Sequence, residues 1–261
     1  MRNDEQDLDR IEGEIDELGY AFVPGIVSAE EIAELRSQLE QAIIDDMDEF
    51  GDLEGKQEYM IVDMLRRGNA FVRLLENDAM HRVFGRILGQ TCVLYAYASM
   101  FLRPGEEPPA TKMHIDTHRF ISNYHTGILM TLALDDFTAE NGATRILPRS
   151  HKSERVPSKE EFLKNSVCAE RKAGDVVFLS NRIFHSAMIN RTEETRYGVA
   201  VYACRSFMKQ RLDYPRLVTP EILSQLGEKG RAFLGFNVRV PTSCEEFYLP
   251  ENERLYKPGQ G

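Results

Sequence analysis

The tripeptide His114-Ile115-Asp116 is the strongest local chemical signal in the chain. In an extended segment, residues i and i+2 project to the same face, so this imidazole and this carboxylate can reach one ion. Two ligands cannot hold an iron, and a third must come from elsewhere. His185 is the natural candidate, 71 residues downstream in the run SNRIFHSAMIN, after the strand-like GDVVFLS. Two histidines and one carboxylate on one face form a facial triad. It suits non-haem iron and leaves positions open for a co-substrate and dioxygen. Alone, an H-x-D tripeptide is weak, because most such pairs are accidents of surface or core.

A second spacing strengthens the signal. Arg196 lies eleven residues after His185, at the head of RYGVAVYACRSF. A hairpin turn through residues 190–195 would run that strand back alongside the one leading to His185. An arginine there can present a planar fork to a carboxylate held against the metal. A five-carbon keto diacid that chelates iron through its keto end needs such a fork for its far carboxylate. Arg182, Arg191 and Arg205 stand nearby, so only its position relative to His185 selects Arg196.

Helices and then strands must position these groups. Leu8, Ile11, Ile15 and Leu18 fall on one helical face that Gly19 ends. Residues 20–23 read as a short strand closed by Pro24-Gly25. Ser28 with Glu31 forms an S-x-x-E capping box, continued by the stripe Ile32, Leu35, Leu39 and Ile43. Further helical faces run from Phe71 to Ile87. The period then changes: residues 92–103, 127–134, 175–179 and 196–207 are rich in β-branched, aromatic and small apolar residues, separated by turn chemistry. Strands following helices without β-α alternation predict an antiparallel sheet system with helices packed outside it. One catalytic domain over 1–261 is the economical reading, with a helical part to about residue 90, a β core over about 91–210 and an extension over 211–261.

Composition narrows the function classes. The 261 residues, 42% hydrophobic and 28% charged, suit a globular protein that folds without staples. A formal charge of -10 is a poor match for a phosphate backbone, which argues against nucleic acid as a partner. The acidic cluster Asp45, Asp46, Asp48 and Glu49 reads as a solvated helix face. Four widely spaced cysteines without a CxxC pair suggest reduced thiols. The polar N-terminus does not read as a signal peptide, and the longest apolar stretch, residues 93–102, is about half a membrane span. The expectation is a cytoplasmic protein acting on a small molecule, with no membrane partner. Oligomeric state is not readable.

The chain resembles the phytanoyl-CoA dioxygenase-like (PhyH) family of Fe(II)/2-oxoglutarate oxygenases over roughly residues 15–210. The resemblance rests on GYAFVPGIVSAEEIAELRSQLEQA, His114-Ile115-Asp116, ALDDFTAENGATRILPRSHK and GDVVFLSNRIFHSAMINRTEETRYGVAVYA. It implies a mainly β fold with flanking α-helices, a double-stranded β-helix (jelly roll). His114, Asp116 and His185 match the iron ligands and Arg196 the 2-oxoglutarate clamp. Thr131, eleven residues before Gly142, falls where members line the co-substrate pocket, and Tyr97 is a further co-substrate candidate. Members commonly carry a serine two residues after the distal histidine, where this chain has Ala187. The far carboxylate should then lean on Arg196 plus Thr131 or a tyrosine. His118, Arg119 and Asn123 are candidates for substrate contact at the pocket mouth. The implied activity consumes 2-oxoglutarate and dioxygen, releases succinate and CO2, and hydroxylates a metabolite or natural-product intermediate. The same cofactors can instead desaturate, epimerise or close a ring. A catalytically silent binding protein is the reading from another class.

Overall fold

The computed structural model describes residues 5–54, 56 and 59–256. The first apolar stripe forms α1 (Glu5–Leu18), which buries Leu8, Ile11 and Ile15. Gly19, at φ +89°, turns the chain into β1 (Tyr20–Val23). The capping box opens α2 (Ala29–Phe50): Ser28 Oγ accepts from Glu31 N at 3.2 Å, and the Glu31 carboxylate accepts from Ser28 N at 2.9 Å. Two shorter helices follow, α3 (Asn69–Leu74) and α4 (Asp78–Leu88), the latter capped by the Asn77 side chain.

The remaining strands are β2 (Val93–Leu102), β3 (Gly127–Ala133), β4 (Thr144–Ile146), β5 (Val167–Ala169), β6 (Val176–Ser180), β7 (His185–Ala187) and β8 (Arg196–Cys204). They build two antiparallel sheets, ordered β1-β6-β3-β8-β2 and β5-β4-β7. This is the expected jelly-roll layering, with the sheets not closed into a barrel. Strand period two divides the larger sheet. Met130, Leu132, Phe178, Val199 and Val201 join the helices in the main core. Leu129, Thr131, Leu179, Ala200 and Tyr202 instead line a cavity together with residues of the small sheet. Among the described residues, no helix is long and apolar enough to cross a membrane.

Two expectations need correction. The segment after His185 is no hairpin: β7 pairs with β4 in the small sheet, whereas β8 lies between β3 and β2 in the large one. Residues 190–195 cross between sheets. The crossing is tied by Asn190, whose side-chain amide donates to Leu102 O at 2.9 Å and Glu194 O at 2.7 Å. The acidic cluster is not wholly solvated either. Asp46 is buried and pairs with Lys56 at 3.0 Å and Arg67 at 3.1 Å. All four cysteines are free thiols.

Candidate metal and co-substrate site

One segment, residues 180–185, organises the triad. Asn181 O accepts from both Asp116 N, at 3.1 Å, and Thr117 N, at 3.0 Å, fixing the carboxylate-bearing loop at the exit of β6. Four residues on, His185 and His114 exchange two backbone hydrogen bonds of 3.0 Å, setting their rings 4.3 Å apart. The ligand atoms of His114, Asp116 and His185 lie within 4.8 Å of one another, and His185 Nε2 is 4.0 Å from Asp116 Oδ1.

The ring nitrogens are already assigned. His114 Nδ1–H donates to Lys112 O at 2.8 Å, and His185 Nδ1–H donates to Ile183 O at 3.0 Å. A carbonyl can only accept, so each Nδ1 carries the proton and each Nε2 keeps a lone pair for a cation. Burial, and then the facing His185, hold the His114 pKa below the ordinary histidine value, favouring this neutral form. The buried Asp116 Oδ2 has no hydrogen-bond partner, as expected of an oxygen shaped for a metal. Thr117 and Tyr202 hydroxyls meet 2.9 Å apart beside this group.

The cavity is about 210 Å³, and its wall holds the triad together with Thr131, Thr144, Ala187 and Arg196. Arg196 is 6% exposed, its Nε has no partner, and its guanidinium carbon lies 4.0 Å from the Phe137 ring centre. Among the described residues the acid that acts on it, Asp135, is held by Arg36 and accepts from Tyr197 N at 2.7 Å. A buried guanidinium without a counter-charge is costly unless an anion meets it. Two imidazoles, a carboxylate and an unpaired arginine in one cavity therefore fit iron and a dicarboxylate co-substrate.

The other expected site residues divide. Thr131 faces the cavity, in register with Ala200. Tyr97 is absent from this wall: it lies between Ala96 and Ala98 on β2, its hydroxyl donates to Phe71 O at 2.9 Å, and it borders a neighbouring cavity instead. His118, Arg119 and Asn123 are likewise absent from the wall. Arg182 draws the loop away by donating to Thr117 O and His118 O. Asn123, at φ +53°, lines a different cavity against α1. Sequence reasoning missed Tyr202, which shares the strand face of Arg196 by parity, a legible signal. It also missed Arg171, whose side chain donates to Thr131 Oγ1 at 2.9 Å.

This jelly roll, with its His-x-Asp…His cluster and buried arginine, defines a non-haem iron oxygenase class. Residues 15–198 match the family model of phytanoyl-CoA dioxygenase (PhyH). The chain belongs to that family of Fe(II)- and 2-oxoglutarate-dependent oxygenases. The uncharacterised protein Rv1501 of Mycobacterium tuberculosis is 26% identical over 263 residues, covering 97% of this chain and 96% of the relative. The dioxygenase FUM3 of Gibberella moniliformis is 29% identical over 205 residues, or 70% of this chain and 64% of that protein. Among solved structures, EctD from S. alaskensis, with 2-oxoglutarate and 5-hydroxyectoine, superposes with TM-score 0.63 at 19% identity, covering 76% of each chain. The epimerase SnoN from nogalamycin biosynthesis gives 0.60 at 22% identity, over 78% of this chain and 82% of that one. At these identities the structural likeness is one of fold.

Proposed function

We propose that this protein hydroxylates a C–H bond of a small organic molecule, with His114, Asp116 and His185 as the Fe(II) ligands and Arg196 holding the far carboxylate of 2-oxoglutarate. The carrying observation is one cavity lined both by three converging ligand atoms and by an unpaired, buried guanidinium. When bound, iron, 2-oxoglutarate and dioxygen supply the oxidising power, and the co-substrate leaves as succinate and CO2.

The chain's own part is placement. Lys112 O and Ile183 O keep the histidine rings aimed, Asn181 O fixes the Asp116 loop, and apolar walls from Ala96, Ala98, Met100 and Phe101 exclude water. The primary substrate's body fits a second, mostly apolar cavity of about 560 Å³ that shares Met60, Ala96, Ala98 and Arg211 with the first. The Arg211 guanidinium has no hydrogen bond or ion pair among the described residues, so an acidic group on the substrate suits this mouth. The single-domain organisation and a cytoplasmic setting accord with this reading.

The test is succinate release from 2-oxoglutarate in air with Fe(II), followed by mass analysis of products from a metabolite panel. Gain of one oxygen supports hydroxylation. Loss of two hydrogens would point to desaturation or ring closure, and unchanged mass with inverted stereochemistry to epimerisation. His114→Ala and His185→Ala should each lose tight iron binding and succinate release while keeping the wild-type circular dichroism spectrum. Retention of both properties in either variant would remove the ligand assignment, and no succinate from the wild type would favour a silent binding protein.

A further inference from the structure

Arg171 is a second buried cation beside the co-substrate end of the cavity, and nothing so far gives it a task. It follows β5, where its backbone exchanges hydrogen bonds of 2.8 and 3.0 Å with Phe137. The residue is 7% exposed. One terminal nitrogen donates to Ala169 O at 3.0 Å, the other to Thr131 Oγ1 at 2.9 Å, and Nε has no partner. Its guanidinium carbon lies 4.1 Å from the Phe137 ring centre, and that of Arg196 lies 4.0 Å from the same ring.

Two guanidiniums thus share one aromatic ring, with no ion pair to either among the described residues. The nearby acids are occupied. Asp135 is bound by Arg36, Asp136 by Lys172 at 2.7 Å, and Asp175 accepts from Gly25 N at 2.9 Å and Lys172 N at 3.1 Å. Burial and then the neighbouring Arg196 charge pull Arg171 down to about 9, and burial pulls Arg196 down to about 10. Both remain charged at neutral pH. A pair of like charges in a dry site asks for an anion.

Thr131 tells where that anion sits. A threonine hydroxyl has one proton to give, and its oxygen is already accepting from Arg171. The proton is then free to be given into the cavity that Thr131 lines. Ala187, in the same wall, offers no donor. We propose that Arg171 and Arg196 together make a two-guanidinium subsite for the terminal carboxylate of the co-substrate, with Arg196 binding directly and Arg171 acting through Thr131. Arg171 is a positioning residue: it orients the Thr131 hydroxyl and adds positive potential behind it. The subsite selects a 2-oxo acid with an anionic far end. The inference rests on the 2-oxoglutarate reading above.

The experiment titrates the Fe(II)-loaded protein, without oxygen, with 2-oxoglutarate and with 2-oxopentanoate, which has the same chain length but ends in a methyl group. The readouts are the visible metal-to-ligand charge-transfer band and calorimetry. Arg171→Met should weaken 2-oxoglutarate about tenfold to a hundredfold, the range for losing a hydrogen bond that serves a charged group. It should leave 2-oxopentanoate within about twofold, since that ligand has no group for the subsite. Arg171→Lys should recover part of the loss. Thr131→Val should show the same selective loss, and the Arg171→Met, Thr131→Val pair should be little worse than either alone. Should Arg171→Met fold poorly, Thr131→Val and Arg171→Lys carry the test. Wild-type 2-oxoglutarate affinity in Thr131→Val, or equal weakening of both oxo acids in an Arg171 variant, overturns the proposal. Arg196→Met separates the two readings: if it too retains wild-type 2-oxoglutarate affinity, the co-substrate assignment itself fails. If it alone loses affinity, only the role of Arg171 does.

Discussion

Arg196 is the residue whose removal most sharply separates a 2-oxoglutarate enzyme from a generic metal-binding jelly roll. Truncating one partner of a buried charge pair costs roughly 2–5 kcal/mol. At about 1.4 kcal/mol per decade, Arg196→Ala should raise the KM for 2-oxoglutarate some thirtyfold to several thousandfold, with iron affinity nearly unchanged. Arg196→Lys should recover only part, because an ammonium lacks the bidentate fork. Arg191→Ala is the control, because that side chain is exposed in the crossing between sheets. Succinate production against 2-oxoglutarate concentration measures all three, and identical curves for the Arg196 and Arg191 alanine variants would count against the clamp. The positions that structure brings together here were legible as spacing: His114, Asp116, His185 and Arg196 meet in one cavity. Tyr97 stands outside that cavity for a local reason. It lies between two alanines that line the cavity, and strand parity turns it away from that wall. Arg171 was not legible, because its burial arises from a bridge to Phe137, 34 residues away. No local pattern marks an arginine before a turn as buried.

Strands β6 and β7 and the link between them do most of the positioning, and α1 braces that link from outside. Gly19 O accepts from Ser180 N at 2.8 Å, and His151 Nε2–H donates to Asp16 O at 3.2 Å. A Cβ on Gly19 would stand 2.5 Å from His151 Nδ1 and 2.7 Å from Ile183 Cδ1, at a φ that L-residues avoid. Gly19→Ala should therefore destabilise the protein by about 1–3 kcal/mol, read as a lower urea midpoint; an unchanged midpoint would mean that α1 does not brace the link. The same contact makes a pH prediction. Burial holds His151 at about 4, below the ordinary 6.5, despite the upward pull of Asp16, while His125 and Lys152 push it down further. Between these values the unfolded chain binds the proton and the folded chain does not. Stability from this group is thus complete above about pH 6.5 and is lost as pH falls toward 4. Urea midpoints at pH 7 and pH 5 should differ more for wild type than for His151→Gln; equal differences would deny His151 this role. The long elements behind this arrangement were readable from period and caps, whereas β4, β5 and β7, at three residues each, are too short to carry a period. Missing them is what turned a crossing between two sheets into an expected hairpin.

At the scale of the whole molecule, folding leaves three ligand groups and the Arg196 guanidinium in one cavity inside the β sandwich, with the Arg171 guanidinium behind Thr131. The fold tolerates this because the apolar core lies on the other face of the large sheet, where α1 to α4 pack against Met130, Phe178 and Val201. The site is therefore a destabilised interior that its ligands complete, and global stability should report their binding. A ligand present at 100 times its Kd adds about 2.7 kcal/mol by mass action. For a chain of this size each kcal/mol moves the melting temperature by roughly 2–4 °C, so saturation should raise it by about 5–10 °C. Redox-silent Mn(II) avoids turnover in this measurement. Mn(II) alone should give one increment, and Mn(II) with 2-oxoglutarate a second. Arg196→Met should keep the first and lose most of the second, while His185→Ala should lose both, since the co-substrate's keto end has no ion to chelate. Calorimetric scans of the three proteins decide it. A second increment that survives in Arg196→Met would place the co-substrate away from the buried guanidiniums, and one that survives in His185→Ala would uncouple it from the metal.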